Sequence, residues 1–180
     1  MSTEPPNIDP LNTPTLTKEA GMKTKLYIHR EGTHDPEIVD IDPSITVRGL
    51  LAQLGAGSED RLWLEDNPKV LDDDLCIDSG EIPDRHHLHC APVKEIDVKV
   101  TFVDQHKHRG FPPSTTVASV LQWATGPKGF NLAADQRPKH ELVISGSDEA
   151  LPGNVHVGSL VRRGEHEVCL DLRPKERFAG

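Results

Sequence analysis

An internal repeat limits what this 180-residue chain can fold into more than any other feature of its sequence. The segment IDPSITVRGLLAQL (41–54) aligns with FPPSTTVASVLQWA (111–124) at an offset of 70 positions, with five identical residues. Residues 60–90 align with 140–170 at an offset of 80, and apolar positions recur in the same register. The difference between the offsets places one insertion in the second unit, around GPKGFNLAADQRP (126–138). Because self-similarity indicates a repeated structural unit, we expect two copies of one small fold.

The first unit has the pattern of two strands, a helix and two further strands. TKLYIHR (24–30) and PEIVDID (36–42) alternate apolar and polar residues, which is typical of half-buried strands, and the short EGTHD between them predicts a hairpin. Asp-Pro-Ser then favours the start of a helix, with apolar residues at helical spacing from Val47 to Leu54 and Gly55 at the C-terminal cap. The remaining predicted strands are RLWLE (61–65) and HHLHCA (86–91).

The second unit repeats this order. Its predicted elements are the strands IDVKVTFVD (96–104) and RGFP (109–112), a helix over 116–124, and the strands ELVIS (141–145) and HEVCLDLR (166–173). In each unit one amphipathic helix would lie on a small sheet, which is the β-grasp arrangement. The sequence therefore predicts an α+β protein of two tandem β-grasp domains, domain 1 over 23–94 and domain 2 over 95–173.

Segments outside the two units have a different composition. Residues 1–22 contain four prolines and many Ser, Thr and Asn residues without periodicity, so they predict a disordered leader, with Met22 as a candidate alternative start. Residues 174–180 follow the last predicted strand and are expected to form a flexible C-terminal tail.

Charge and cysteine content exclude several classes of protein. The formal net charge is -9; residues 23–94 carry eight bases and fifteen acids, and residues 95–180 carry eleven of each. No segment has the clustered Lys and Arg that nucleic-acid binding needs, and no apolar run reaches the roughly 20 residues that span a membrane. The three cysteines are isolated, and no signal peptide is visible, so we expect reduced thiols in a cytoplasmic, monomeric protein.

The two units resemble ubiquitin in the order of their elements and in three local motifs. IDPS (41–44) is similar to the strand end and helix start of ubiquitin, ELVISG (141–146) to its third strand and turn, and VCLDLRPKERFAG (168–180) to its last strand and glycine end. Two units joined by only Lys94 and Glu95 resemble the tandem ubiquitin-like modifiers. These include the interferon-induced two-domain modifier of vertebrates and its counterparts in bacterial antiphage conjugation operons.

The resemblance implies a chemical role for the C-terminal carboxylate of Gly180. In such modifiers an activating enzyme adenylates this group with ATP and transfers it to a thiol as a thioester, and a conjugating enzyme joins it to a target amine as an isopeptide bond. A deconjugating isopeptidase reverses the modification. The implied tail-recognition residues are Arg173, Arg177, Phe178 and Ala179. The tail departs from that of ubiquitin in ending Ala-Gly and in carrying Pro174. A two-domain adaptor that binds partners without conjugation is the alternative.

Ubiquitin is bound through an apolar patch on its sheet, which the resemblance transfers to outward strand positions here. The implied partner-surface residues are Trp63 and His89 in domain 1 and Val143 and Cys169 in domain 2. Asp171 interrupts the patch in domain 2. Trp63 is either a partner contact, since aromatic side chains dominate interface energies, or packs against neighbouring side chains.

Other candidate sites are weaker. In RHHLHC (85–90), His87 and His89 share one strand face, but a zinc site needs about four ligands, and HKH (106–108) lies in a predicted hairpin turn. LDDDL (71–75) lacks the spacing of a calcium loop and predicts a solvated turn. Neither a nucleophile–base pair nor a phosphate loop is present, so we expect no metal, no cofactor and no catalytic activity.

Overall fold

The computed structural model describes residues 23–82 and 85–175. The predicted leader lies outside these residues. The first unit consists of β1 (Thr24–Arg30), β2 (Glu37–Ile41), α1 (Val47–Gln53), β3 (Arg61–Leu64), a 3-10 helix (Ile77–Ser79) and β4 (His87–Ala91). Its sheet has the order β2-β1-β4-β3, in which β1 and β4 are parallel and the other pairs are antiparallel.

The second unit has the same topology. It consists of β5 (Ile96–Phe102), β6 (Gln105–Phe111), α2 (Val117–Thr125), a 3-10 helix (Arg137–Lys139), β7 (His140–Ile144), a 3-10 helix (Val157–Leu160) and β8 (Glu167–Pro174). The sheet order is β6-β5-β8-β7, with β5 and β8 parallel. The predicted α+β class and the two β-grasp units are therefore confirmed.

Both helices begin at the same position of the repeat. Thr46 and Thr116 are N-caps whose side chains accept hydrogen bonds at 3.2 Å from the backbone N–H groups of Gly49 and Ser119. A threonine oxygen satisfies one of the free N–H groups at a helix start. The Asp-Pro-Ser sequence forms a turn before this cap, and α1 begins at Val47, where the predicted helical spacing starts.

The β5–β6 hairpin corrects the interpretation of HKH (106–108). A tight turn over Val103 and Asp104, with Val103 at a positive φ of 54°, lets the antiparallel ladder start at the Phe102–Gln105 pair. His106 and His108 therefore lie on β6 and not in a turn. The predicted strand over 109–112 is correspondingly too short.

Two apolar clusters form the interior. The cluster of the first unit packs α1 on its sheet and includes Leu26, Ile28, Val47, Leu50, Leu62, Ile77 and Leu88. The cluster of the second unit packs α2 on its sheet and includes Val98, Val100, Val120, Leu142, Leu170 and Leu172. This second cluster also contains Trp63, Ala91 and Val93 from the first unit. The two units are therefore joined by shared apolar burial and not only by the short connection at Lys94 and Glu95.

Candidate functional site

The last strand, β8, directly precedes the predicted conjugation tail. β8 is paired with β5 on one side and with β7 on the other, and its final residue, Pro174, stands opposite His140. The backbone N–H of Lys175 donates to the carbonyl of Lys139 at 2.8 Å, which extends this contact by one residue. Ordered strand structure thus runs beyond the predicted boundary at 173. Four predicted tail residues lie outside the described part of the chain: Arg177, Phe178, Ala179 and Gly180.

Arg173 is held against the preceding strand and turn. Its Nε donates to Glu141 Oε1 at 3.1 Å, and its Nη1 lies 3.5 Å from Asp148 Oδ1. Its Nη2 also donates to the backbone carbonyl of Asp148. The guanidinium therefore bridges β7 and the turn that follows it, next to the point where the chain leaves the sheet. This geometry gives Arg173 an intramolecular positioning role, beside the tail-recognition role that the sequence predicts.

The outward face of the first sheet is not a free surface. Trp63 is 1% exposed and His89 is 0% exposed, although both side chains point away from α1. The second unit covers them: Trp63 belongs to its apolar cluster, and Gly158 lies so close that a Cβ there would be 2.4 Å from His89 Nε2. The expectation that Trp63 and His89 face a partner protein is therefore corrected, because the neighbouring domain occupies their face.

The outward face of the second sheet contains one buried and one exposed residue of the predicted partner surface. Val143 is only 2% exposed, and its backbone forms an isolated bridge with Ala150 of the segment that follows β7. The expectation that Val143 faces a partner is corrected for this reason. Cys169 is exposed, and Asp171 beside it accepts a hydrogen bond from Ser145 Oγ at 2.8 Å. Partial burial and the nearby Glu167 carboxylate raise the pKa of Cys169, so its thiol stays protonated at neutral pH.

One polar contact between the domains caps α2. Asp66 follows β3 of the first domain, and its Oδ1 and Oδ2 accept hydrogen bonds from the backbone N–H and the hydroxyl of Thr116, each at 2.8 Å. The backbone N–H of Asp66 donates in turn to the carbonyl of Ser114 at 3.0 Å. A carboxylate at a helix start satisfies free N–H groups and interacts favourably with the helix dipole. The first domain therefore completes the helix cap of the second.

A second polar contact places an arginine beside two buried carboxyl groups. Arg163 of the second domain lies 2.9 Å from Asp60 Oδ1 and 3.8 Å from Glu31 Oε2, measured from its Nη2 and Nη1. Both acidic side chains belong to the first domain and are almost fully buried. Burial raises the pKa of Glu31, and the Arg163 charge opposes that rise. The arginine thus neutralises acidic groups that the domain contact removes from water.

Four histidines meet where the domains touch. His29 on β1 and His87 and His89 on β4 share the outward face of the first sheet, and His156 reaches them from the second domain. His29 Nε2 lies 2.8 Å from His87 Nδ1, and His89 Nδ1 lies 3.3 Å from His156 Nδ1. The rings of His29 and His156 are tilted by 31° with respect to each other, with centroids 3.9 Å apart. His156 Nε2 lies 3.1 Å from Glu65 Oε2.

The shared face of His87 and His89 was predicted from strand alternation, but the participation of His29 and His156 was not. His156 follows the irregular segment after β7, and its repeat equivalent is Cys76, so the repeat itself gives no sign of a fourth ring. In the described ranges, no group of three or more His, Cys, Asp or Glu side chains is placed to hold a metal ion. In those ranges no helix is long and apolar enough to cross a membrane.

Comparison with known proteins identifies the second domain. Residues 97–175 match the family model described as BilA ubiquitin-like domain 2. No curated protein matches the chain.

Several solved structures resemble single domains of the chain. Ubiquitin of Caldiarchaeum subterraneum is 17% identical over 46% of this chain and 99% of its own, with a TM-score of 0.34. A protein of Arabidopsis thaliana is 16% identical over 50% of this chain and 98% of its own, with a TM-score of 0.34. A chain of the pParkin-pUb-UbcH7 complex is 20% identical over 42% of this chain and 25% of its own, with a TM-score of 0.32.

The family match covers the second unit. The internal repeat and the shared sheet topology relate this unit to the first one. Both units have the same strand order, and the second is similar to the BilA ubiquitin-like domain 2 over residues 97–175, so the chain resembles a tandem ubiquitin-like protein.

Proposed function

We propose that this chain is a protein modifier that is activated at the carboxylate of Gly180 and joined through it to target amines. The observation that carries the proposal is the position of β8, the last strand of a domain that matches a ubiquitin-like family. β8 is hydrogen-bonded on both sides, and Gly180 lies six positions after its last residue, Pro174. A glycine has no Cβ, so its carboxylate fits a narrow enzyme channel that excludes larger residues.

The proposed partners follow from this chemistry. An ATP-dependent activating enzyme forms the adenylate and then the thioester, a conjugating enzyme transfers the chain to an amine, and an isopeptidase removes it. Arg177, Phe178 and Ala179 are the proposed tail-recognition residues. Cys169 remains as the proposed partner-surface residue, because it is exposed on the outward face of the second sheet. The proposal includes a place in a bacterial antiphage pathway, since the tandem arrangement resembles the modifiers of such operons.

Thioester formation tests the proposal. The purified chain is incubated with ATP and the activating enzyme from the same source, and the reductant-sensitive adduct is followed on a gel. We expect an adduct with the unaltered chain, none after deletion of Gly180, and a reduced rate for Arg177→Ala. Arg162→Ala is the matched control, because Arg162 is an exposed arginine in a turn before β8. Absence of the adduct, or an unchanged adduct after deletion of Gly180, would refute the role of this glycine.

An adaptor that is never conjugated is the second candidate function. The observation that favours the adaptor is the closed contact between the two domains. Because the domains are packed together, a partner protein could bind a continuous surface to which both domains contribute. Intact-mass measurement of the tagged chain from its native cells separates the two candidates. Adducts joined through Gly180 contradict the adaptor, whereas exclusively unmodified chain, with partners recovered non-covalently, contradicts the modifier.

A further inference from the structure

The contacts within the histidine cluster favour neutral rings at His29, His89 and His156. Here the histidine cluster means His29, His87, His89 and His156, together with the Glu65 carboxylate that contacts His156. A carboxylate only accepts hydrogen bonds, so the contact to Glu65 Oε2 requires a proton on His156 Nε2. A neutral His156 then has a bare Nδ1, which accepts from His89 Nδ1. This in turn leaves His89 Nε2 without a proton.

Two ring nitrogens of the cluster are buried without hydrogen-bond partners among the described residues. His89 Nε2 and His29 Nδ1 are both inaccessible to water and have no hydrogen-bond partner among the described residues. An additional proton on His89 would therefore place an N–H group and a positive charge in a buried site against the backbone of Gly158. Burying a charge with an unsatisfied donor is strongly unfavourable.

The charges around the cluster do not offset this penalty. The groups that face it are Glu65 and Asp66 after β3, Tyr27, which stacks on His87, and the cluster's own rings on β1, on β4 and in the second domain. Burial, followed by the His156 and His87 rings, lowers the pKa of His29 to about 4. Burial and His87 lower the pKa of His156 to about 4, and burial lowers that of His89 well below its ordinary value. Glu65 and Asp66 act in the opposite direction and are outweighed.

We propose that the histidine cluster makes the contact between the two domains dependent on pH, so that acidification separates the domains and exposes Trp63 while each domain stays folded. The inference is independent of conjugation at Gly180. His156 is the ring that the second domain contributes, so separation opens the cluster to water and allows His29, His89 and His156 to take up protons. The outward face of the first sheet, which the second domain covers, then becomes accessible.

The direction of the effect follows from the bound protons. In the closed form His29 and His156 have pKa values of about 4, against an ordinary value of 6.5, so the open form binds protons more readily. The closed contact is therefore fully stable above pH 6.5 and is lost as the pH falls from 6.5 toward 4. Within this window each such histidine lowers the ratio of closed to open form by up to about tenfold per pH unit.

Trp63 provides the measurement. The chain has two tryptophans, so Trp123→Phe leaves Trp63 as the single one and keeps an aromatic ring against Phe111. The full chain with this change is titrated from pH 7.5 to 4 and followed by emission wavelength, acrylamide quenching, the radius of gyration from X-ray scattering, and far-ultraviolet circular dichroism. We expect a red-shifted, more quenchable Trp63 and a larger radius at low pH, with an unchanged dichroism spectrum.

Histidine variants identify the groups responsible. His89→Gln and, separately, His29→Phe remove one titrating ring each, so the transition should become less steep by about one proton. His106→Gln is the matched control, because His106 is exposed on β6, and it should leave the transition unchanged. If either cluster variant does not fold, the steepness for the unaltered cluster still tests the proposal, which requires uptake of more than one proton. A protected Trp63 and a constant radius down to pH 4 would overturn it, as would loss of the dichroism signal together with exposure of Trp63.

Discussion

The outward faces of the two sheets have equivalent backbones and different environments. Three pairs of positions correspond at the repeat offset of 80: Trp63 with Val143, His89 with Cys169, and Ala91 with Asp171. All three residues of the first face are buried, whereas on the second face Val143 is buried, Asp171 is half-buried and Cys169 is exposed. The difference shows that the repeated residues specify the fold and that the outward residues specify which sheet receives the other domain.

The chemistry of the outward residues explains the direction of this asymmetry. Trp63 and Ala91 are apolar, so covering them removes apolar surface from water and stabilises the contact. The second face carries Lys99, Glu167 and Asp171, whose charges would lose hydration if another domain covered them. The first sheet therefore accepts a neighbouring domain, whereas the charged residues on the outward side of the second sheet stay in contact with water.

Among the changes that test this comparison, truncation of Trp63 should have the largest effect on the free energy of unfolding. Trp63→Ala removes a ring that is packed in the apolar cluster of the second domain, and we expect it to lower the free energy of unfolding by about 3–5 kcal/mol. The equivalent change in the second sheet, Val143→Ala, removes about two methyl groups and should cost about 1.6 kcal/mol. Urea denaturation of both variants and of the unaltered chain measures the difference.

Equal losses for the two variants would contradict the asymmetry, because Trp63 would then contribute no more to stability than Val143 at the equivalent position of the second sheet. Trp123→Phe is the control for a general loss of aromatic volume. Trp123 is only partly buried and packs edge-on against Phe111 within the second domain, so the smaller Phe ring should have a minor effect.

The fold could be predicted because the repeat and the strand alternation are local properties of the sequence. The alternating apolar residues of β1 and β4 and the matching threonines at the two helix caps all reflect contacts within one unit. Asp-Pro-Ser is suited both to a turn and to a helix start, and here it forms the turn that precedes α1. The cap at Thr46 decides between them.

The contact between the domains could not be predicted from alternation alone. An outward strand position has the same sequence pattern whether water or another domain covers it, so two interpretations of Trp63 stayed open. A signal was nevertheless present: the outward positions of the first sheet hold Trp63, Ala91 and His89, while those of the second hold charged residues. His156 gives no comparable signal, because it lies in an irregular segment.

Removal of the cap that joins the domains should have a smaller effect. Asp66→Gly deletes the carboxylate that accepts from Thr116, and we expect a loss of about 1 kcal/mol in unfolding free energy. Glycine is the informative replacement because Asp66 has a positive φ of 53°, and the equivalent residue of the second unit is Gly146, with a φ of 84°. Thermal and urea unfolding measure the loss without added backbone strain.

Asn131→Gly controls for the backbone part of this change. Asn131 also has a positive φ, 52°, and lies on the surface, so glycine there relieves the same conformation without removing a cap. If Asp66→Gly is as stable as Asn131→Gly, the carboxylate does not stabilise the domain contact, and the comparison between the two sheet faces rests on Trp63 and the histidines alone.

The smallest effect is expected on the open face of the second sheet. Cys169→Ser should change the free energy of unfolding by less than about 0.5 kcal/mol, because the side chain is exposed. Cys90 faces the core of the first domain, where burial raises its thiol pKa to about 11. With Cys76→Ser as background, a thiol reagent should therefore modify Cys169 in the folded chain and Cys90 only on unfolding. If Cys90 reacts as fast as Cys169 under native conditions, the core of the first domain does not protect its thiol, and the expected difference between the two cysteines is wrong.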